Sequence, residues 1–424
     1  MRRREFAGVA LRRGSDEAVG KMSSRSTWWN SFCPTASSEP RRNATPANRI
    51  IGVALSSSFE LCVSLCLCVF VARRSSVHEL MDHVAQFPTA TRVLDDAIAA
   101  RVFPGAVAEI GRNAGPIATI ARGSLTYDVG SAPAGETTIY DLASLTKVLA
   151  TAAVVSSQLA RDRMRLNDRV AHWIDAFSSE DRQDVTIRDL LEHCSGLPGH
   201  RHYFETRNGR EPFELAICEE PLEYPPRTKS IYSDPGFMLL GFAIENVAGS
   251  ALDRLFDNWR NSELGPSIEL RYRPPAEWLE RTAPTEGGAP GQATRGVVHD
   301  ENAAALGGVA AHAGLFGTAS AVGACARWWL KSPALPRFSQ KSSAPNSSRA
   351  LAWDTMLATS SCGTKLSPQA IGHTGFTGTS LWIDPAQDLY VALLSNRVHP
   401  TRNGEGIQEA RRAFHDAVVS DLSQ

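Results

Sequence analysis

The sequence of 424 residues lacks several patterns that identify common catalytic chemistries. It contains no Gly-x-Ser-x-Gly, which argues against an α/β-hydrolase, and no His-Glu-x-x-His, the helical zinc pattern of many metalloproteases. No glycine-rich phosphate loop is evident. The eight cysteines have no paired spacing, so they predict neither a zinc site nor a disulfide framework. Four of them we interpret as isolated small apolar residues: Cys194, Cys218, Cys325 and Cys362.

A large net charge is also absent. The formal charge of the chain is -1, which gives no electrostatic reason to expect a nucleic-acid partner. The charge is unevenly placed, however, because residues 1–80 hold 12 Lys and Arg against six Asp and Glu, which leaves -7 for the remainder. This asymmetry predicts an N-terminal extension over residues 1–80 and a separate domain over residues 81–424.

Within the extension, residues 50–72 form an apolar run that is interrupted by Glu60 and four serines. The run is long enough to span a membrane, but a charge near its centre is costly. Three interpretations stay open: a natural start at Met81, a membrane anchor, or a disordered tail. A start at Met81 predicts a cytoplasmic protein, and an anchor predicts a membrane-attached one. If the start is Met81, we expect a chain beginning there to be soluble and fully active.

The pattern of the remaining chain predicts strands near both ends and helices between them. GAVAEIGR and PIATIARG flank NAG and predict a hairpin, and GTSLWIDP and LYVALLSN predict two strands near the C-terminal end. LGGVAAHAGLFGTASAVGACARWWL is predicted to be helical, and SPALPRFSQKSSAPNSS to be a flexible surface loop. We therefore predict an α+β fold: one antiparallel sheet formed from both chain ends, flanked by helices, with a mostly helical insertion and a cleft between the two parts.

The stretch DLASLTKVLATAAVV, residues 141–155, places Ser144 and Lys147 on one face of a predicted helix. Asp141 suits the N-cap, and the small apolar residues that follow would let the helix be buried nearly all round. A serine at a helix start lies near free N–H groups, which suits a nucleophile beside an oxyanion hole. The motif alone is weak, because this composition gives about half a match by chance. A helix-start hydroxyl at Ser144 and a snorkelling surface lysine at Lys147 would also explain it.

Two later stretches contain groups that a serine nucleophile needs. KSIYSDPGFMLLG places Tyr232 and Asp234 just before a helix, and IGHTGFTGTSLWID places His373, Thr374 and Gly375 at a strand. The ordered set Ser-x-x-Lys, Tyr-x-Asp and His-Thr-Gly resembles the serine β-lactamase and penicillin-binding protein superfamily. The likeness is strongest to its class C β-lactamase, D-alanyl-D-alanine peptidase and family VIII esterase branch. HCSGLPG and VVHDENAAALGGVAAHAGLFGTA match the same branch, and the resemblance covers about residues 85–420.

The resemblance implies a serine hydrolase of the β-lactamase/transpeptidase-like fold that cleaves an ester or amide through an acyl-serine intermediate. Ser144 would attack the carbonyl, and Lys147 would hold or relay its proton. Tyr232 would act as general base and acid, with a pKa lowered by neighbouring positive charge. Thr374 and Gly375 would contact the substrate from the strand led by His373. The backbone N–H groups of Ser144 and Phe376 would form the oxyanion hole.

Two residues depart from the pattern of the members that hydrolyse β-lactams. Asp234 replaces the usual Asn, and we expect it to fix Lys147 by charge or to serve as an N-cap before Pro235. His373 replaces the usual Lys, and a histidine is only partly charged near neutrality. A substrate carboxylate would then be held less reliably, so we expect short-chain esters to be hydrolysed faster than β-lactams.

No cofactor or metal is expected. We interpret His193 as a residue that fixes its loop by hydrogen bonding, and the segment with His299, Asp300, Glu301 and His312 as a cleft wall. The expected partner is a small ester, amide or peptide substrate, without nucleic acid, and with a membrane only if residues 50–72 are an anchor. The alternative function is a non-catalytic sensor of peptidoglycan or β-lactams that keeps the same fold.

Overall fold

The computed structural model describes residues 86–287 and 294–424. The proposed extension, its apolar run at residues 50–72 and the possible start at Met81 lie outside the described residues. The described part contains a six-stranded antiparallel sheet in the order β2-β1-β9-β8-β7-β6. Its strands are β1 (Gly105–Arg112), β2 (Gly115–Gly123), β6 (Asp354–Thr355), β7 (Ile371–Thr374), β8 (Ser380–Asp384) and β9 (Leu389–Ser395).

This sheet joins the two ends of the described chain, as the sequence predicts. β1 and β2 form the expected hairpin, and β1 pairs with β9 in a register that sets Ala106 opposite Ser395. β8 and β9 are buried along their whole length, because helices cover both faces of the sheet. Strands that are buried on both faces are typically continuous apolar runs, and β8 and β9 have such sequences. The predicted α+β class with a sheet from both chain ends is confirmed.

The helices occupy the faces of the sheet and most of the stretch between β2 and β6. They are α1 (Pro88–Ala99), α2 (Ala152–Ala160), α3 (Ile187–Leu191), α4 (Arg210–Glu219), α5 (Asp234–Ala248), α6 (Leu252–Glu263), α7 (Glu301–Ala305), α8 (Ala319–Lys331), α9 (Leu335–Phe338) and α10 (Ile407–Leu422). α1 and α10 pack together on one face, where Leu94, Phe414 and Trp382 from β8 belong to one apolar cluster. α8 covers the other face, where the core continues into the helical insertion.

The helix that contains the Ser-x-x-Lys motif is irregular at its start. A 3₁₀ turn spans Ala143–Leu145, a π-helical turn spans Lys147–Thr151, and α2 continues to Ala160. Every residue of the π turn is buried, in agreement with the predicted all-round burial. Ala143–Ala160 is long and apolar enough to cross a membrane, but 78% of it is buried inside the fold, so it is a core helix here. α5 and α6 meet the same criteria only as a pair bent by 74°.

Two local predictions are wrong. In the segment predicted as one long helix, Leu315–Gly317 is a strand, β5, and only α8 is helical. β5 is the centre of a second, three-stranded sheet with β3 (Tyr140–Asp141) and β4 (Leu270–Tyr272). The segment predicted as a flexible surface loop contains α9, whose Phe338 is fully buried against Trp329.

The four cysteines in the described residues, Cys194, Cys218, Cys325 and Cys362, are buried and unpaired. They pack as small apolar groups, as the sequence predicts.

Candidate active site

Ser144 lies in a cavity of about 670 Å³ between the strand edge at β7 and the helical insertion. The residue before it, Ala143, has a positive φ of 46°, an uncommon conformation for a residue with a side chain. Asp141 supports this turn, because its carboxylate accepts hydrogen bonds from the backbone N–H of Ala143 (2.8 Å) and of His299 (2.7 Å). Asp141 therefore accepts backbone N–H groups as predicted, but it belongs to β3 and is not the helix N-cap.

Lys147 is fully buried beside Ser144, and its ammonium group has three acceptors. Nζ donates to Ser144 Oγ (3.1 Å), to Asp234 Oδ1 (2.7 Å) and to the His312 carbonyl (3.1 Å). An ammonium has three N–H donors, so all of them are used. Burial lowers the pKa of Lys147, but the charge of Asp234 and the neighbouring Tyr232 outweigh it and hold the pKa above its ordinary value. Lys147 is therefore charged in the resting site.

Tyr232 contacts the same serine. Its O–H donates to Ser144 Oγ at 2.8 Å, and the Lys147 ammonium lies 4.7 Å from the centre of its ring. The prediction of a lowered pKa for this phenol is wrong. Desolvation and the negative charge of Asp234 raise the pKa of Tyr232, and together they outweigh the opposing effect of Lys147. The phenol is neutral in the resting site, so Tyr232 cannot act as a base until it has lost its own proton.

Asp234 is the first residue of α5, but it does not cap the helix. Ser233 is the N-cap, and its Oγ accepts from the Gly236 N–H (3.0 Å) and donates to the Pro198 carbonyl (2.6 Å). The carboxylate of Asp234 is therefore free to pair with Lys147. Burial opposes ionisation of Asp234, yet the adjacent Lys147 charge holds its pKa far below the ordinary range. Of the two interpretations of Asp234, the geometry agrees with the ion pair.

His373 and Thr374 form the end of β7, which lines the cavity. His373 is buried, its Nδ1 lies 2.8 Å from the Thr374 carbonyl, and its Nε2 has no hydrogen-bond partner in the described residues. Burial, together with the charges of Lys147 and Arg349, lowers the pKa of His373 well below its ordinary value. The expectation that this imidazole is partly charged near neutrality is therefore wrong.

The turn after β7 lies against the segment that leads to Ser144. Thr377 Oγ1 donates to the Asp141 carbonyl (2.7 Å), and Thr379 Oγ1 donates to the Leu142 carbonyl (3.1 Å). A side chain on Gly375 would approach the Leu142 carbonyl to 2.7 Å, so the close contact requires glycine. The Gly375–Phe376 peptide and Ser144 thus line one cavity, while the ring of Phe376 is half exposed.

The predicted cleft wall is present. His299, Asp300 and Glu301 line the cavity, whereas His312 is buried behind them with its Nε2 2.8 Å from Asp300 Oδ1. No group of three potential metal ligands occurs within residues 86–287 and 294–424. His193 accepts a hydrogen bond from the Ser233 N–H at 3.0 Å and so ties its own loop to the start of α5.

Arg349 and His200 also line the cavity, and no sequence pattern pointed to either. The Arg349 guanidinium lies 5.3 Å from the centre of the Tyr232 ring, and its Nε is 3.9 Å from Asp354 Oδ1. Its side chain is 20% exposed, and within the described part of the chain it makes no hydrogen bond. Arg349 directly follows the segment that was predicted to be a flexible loop. That segment has no hydrophobic periodicity from which the position of Arg349 in the fold could be predicted.

Comparison with known proteins agrees with this geometry. Residues 90–415 match the Beta-lactamase family. A protein of Escherichia coli (strain K12), provisionally named a D-alanyl-D-alanine carboxypeptidase, is 31% identical over 303 residues, which cover 62% of this chain and 70% of the relative.

Two solved structures share the fold. A penicillin-binding protein homologue from Caulobacter crescentus has a TM-score of 0.64 at 17% identity and covers 80% of this chain and 98% of its own. EstCE1, a hydrolase with promiscuous acyltransferase activity, has a TM-score of 0.62 at 18% identity and covers 78% of this chain and all of its own. With the family match over residues 90–415, the chain belongs to the beta-lactamase family of serine hydrolases.

Proposed function

We propose that the enzyme cleaves a peptide or amide that ends in a free carboxylate, through an acyl intermediate on Ser144. The observation that carries the proposal is Arg349, which lines the cavity of Ser144 and lies over the ring of Tyr232. Among the described residues its guanidinium makes no hydrogen bond, and its ion-pair partner Asp354 is 3.9 Å away. A guanidinium binds a carboxylate through two parallel N–H bonds and stays charged at every working pH. The provisional name of the curated relatives, D-alanyl-D-alanine carboxypeptidase, denotes the same substrate class.

This proposal reverses the expected preference for neutral esters. That expectation treated residue 373 as the only source of charge for a substrate carboxylate. His373 is buried and uncharged, but Arg349 supplies a permanent charge from a different segment. His373 also lines the cavity, and its Nε2 lacks a hydrogen-bond partner in the described residues. Buried polar atoms without partners are uncommon, and a bound ligand is one way to satisfy them.

In the proposed reaction Ser144 Oγ attacks the carbonyl carbon while its proton passes to Lys147, once Lys147 has released one of its own. The backbone N–H groups of Ser144 and Phe376 receive the negative charge that develops on the carbonyl oxygen. The C–N bond then breaks, and the leaving amine takes a proton through Tyr232. A water molecule attacks the acyl ester, the acid is released and Ser144 regains its proton. Thr374, at the end of β7, would contact the bound substrate.

The test is a pair of substrates that differ only at the carboxyl end: an N-acyl D-Ala-D-Ala dipeptide and its C-terminal amide. We expect the wild-type enzyme to prefer the free acid. Hydrogen bonds to charged groups contribute about 1.5–3 kcal/mol, so Arg349→Gln should reduce kcat/KM for the acid roughly 10- to 100-fold. The same variant should change kcat/KM for the amide little.

Arg349→Lys is the matched control, because it keeps the charge and loses the planar fork, and it should fall between wild type and Arg349→Gln. Equal kcat/KM for acid and amide in the wild type would rule out carboxylate recognition. A stoichiometric burst without turnover of any ester or amide would instead favour the sensor function.

A further inference from the structure

The carboxylate of Asp234 lies between two basic groups. Its Oδ1 is 2.7 Å from Lys147 Nζ, and its Oδ2 is 3.4 Å from Nδ1 of His200. The three side chains lead from the interior to the solvent, since they are 0%, 14% and 48% exposed for Lys147, Asp234 and His200. A path of contacts therefore connects Ser144 with a histidine that exchanges protons with water.

His200 is in an acidic environment. Asp234 contacts it from the start of α5, and Asp300 and Glu301 act on it from the start of α7. The contact with Asp234 raises the pKa of His200 above its ordinary value. The nearest ring on its own loop is His202, at 5.2 Å between ring centres, and the side chain of His202 pairs with Glu205 instead. These carboxylates therefore favour the protonated form of His200.

The resting arrangement lacks a base for Ser144. Lys147 is charged and uses its three N–H groups, Tyr232 is neutral and donates, and Ser144 Oγ accepts from both. Nucleophilic attack requires a form of the site in which Lys147 is neutral. Neutral Lys147 leaves Asp234 without its counter-charge, and a carboxylate in such a site is costly unless another cation replaces it.

We propose that His200 is a positioning residue that supplies this replacement: protonated His200 pairs with Asp234 and so allows Lys147 to lose its proton. The inference rests on the proposed acyl-serine chemistry. The protons balance, since one leaves Lys147 Nζ, one is bound at His200 Nδ1, and the charge of the trio is unchanged. Lys147 then accepts the proton of Ser144 during attack.

The consequence is a characteristic pH dependence. His200 has one pKa while Lys147 is charged and a higher pKa once Lys147 is neutral. Between these two pKa values, moving a proton from Lys147 to His200 needs no net loss of protons. The population of the form with neutral Lys147 and charged His200 is therefore constant over that pH range. Without His200 the active form arises only by loss of a proton to water, and the rate then rises about tenfold with each pH unit until Lys147 and Tyr232 titrate.

The test measures activation of Ser144 without reference to the natural substrate. The full-length protein reacts with a small uncharged fluorophosphonate, in which Ser144 Oγ displaces fluoride, and the rate constant is followed by intact mass between pH 5.5 and 9.5. We expect His200→Gln to react about tenfold more slowly than wild type at pH 6, for a coupling of about one pK unit, and equally fast above pH 9. His200→Lys, which keeps a cation near Asp234, should match wild type at pH 6. His202→Gln is the control for substitution in this loop and should follow the wild-type curve.

Equal curves for His200→Gln and wild type would overturn the proposal, as would a loss that is the same at every pH, because the latter indicates a structural role. Failure of the wild-type Ser144 to react, with Ser144→Ala as blank, would overturn both this proposal and the acyl-serine mechanism. If His200 controls the pH dependence while Arg349→Gln leaves the acid-to-amide preference unchanged, only the carboxylate specificity is wrong.

Discussion

The two sides of Ser144 differ in how well their charges are paired. On one side the ammonium of Lys147 has three acceptors, and the carboxylate of Asp234 is held against it. On the other side, among the described residues, the guanidinium of Arg349 makes no hydrogen bond and has only Asp354 at 3.9 Å as a counter-charge, and the imidazole Nε2 of His373 has no partner. We call these the paired side (Lys147, Asp234) and the open side (Arg349, His373).

The difference separates two tasks that charged groups perform. A buried ion pair with complete hydrogen bonding keeps its geometry without a ligand, which suits groups that must hold a nucleophile in place. A guanidinium with free donors at a cavity wall gains most of its hydrogen bonds only when a ligand arrives. The paired side should therefore matter for both stability and turnover, and the open side for the choice of substrate.

The largest expected effect concerns the group that both sides share. Ser144→Ala should reduce hydrolysis of any ester or amide substrate by about three orders of magnitude or more, because it removes the proposed nucleophile of a unit that acts together. The circular dichroism spectrum and Tm should stay close to those of the wild type. Near-normal turnover in this variant would mean that neither the paired side nor the open side acts through Ser144 in the reaction.

The second prediction compares the sides through stability. Lys147→Met leaves the buried Asp234 carboxylate with only the partly exposed His200 as a counter-charge and should lower the free energy of unfolding by about 3–5 kcal/mol. Arg349→Met breaks no hydrogen bond of the described residues and loses the 3.9 Å contact with Asp354 and the contact with the Tyr232 ring, so it should change the free energy of unfolding by about 1 kcal/mol or less. Urea denaturation of both variants measures the difference.

The double variant Lys147→Met, Asp234→Asn is the control for this comparison. It removes the unpaired charge and should recover most of the lost stability. Equal losses in Lys147→Met and Arg349→Met would contradict the distinction between the two sides.

The smallest effect is a pH dependence of stability from buried imidazoles. Burial lowers the pKa of His373 and of His193, and lowers that of His415 to about 3. Their unfolded forms titrate near 6.5, so the unfolded chain binds more protons below that pH. Stability should be fully present above pH 6.5 and decrease as the pH falls.

Replacing one of these histidines should flatten that decrease. We expect Tm to fall less steeply between pH 6.5 and 4.5 in His373→Gln than in wild type, by differential scanning calorimetry. His172→Gln, at an exposed histidine, should keep the wild-type slope. Identical slopes in all three proteins would show that His373 is accessible to protons in the folded state.

The sequence predicted those parts of the site that short local patterns determine. Ser144 and Lys147 are fixed by three-residue spacing at the start of a helix, and Tyr232 and Asp234 by their position just before a proline-containing helix start. The sheet formed from both chain ends followed from apolar runs near each end. These features were inferred from residues that are close together in the sequence, and such local patterns can be recognised in one sequence.

The features that failed depend on contacts between distant segments. The direction of the Tyr232 pKa shift is set by desolvation and by Asp234 together, and the burial of His373 results from packing on both faces of its strand. The helix predicted across residues 306–330 is interrupted because Gly307, Gly308 and Gly314 adopt positive φ values of 76°, 80° and 118°. Glycine permits such turns but does not require them, so the break was not predictable from composition.

The pairing of β1 with β9 has a consequence for how the chain reaches its native state. Ala106 and Ser395 lie opposite each other in neighbouring strands although nearly the whole described chain separates them. During synthesis the N-terminal hairpin must wait for the last strands, with the edge of β1 unpaired, while the helical insertion emerges from the ribosome. A topology dominated by such distant contacts folds slowly, and until folding is complete the unpaired strand edge can pair with other chains. Loss of the last strands would remove the partner of β1 and the turn that lies against Ser144 in one step, so a nascent chain cannot become active before it is nearly complete.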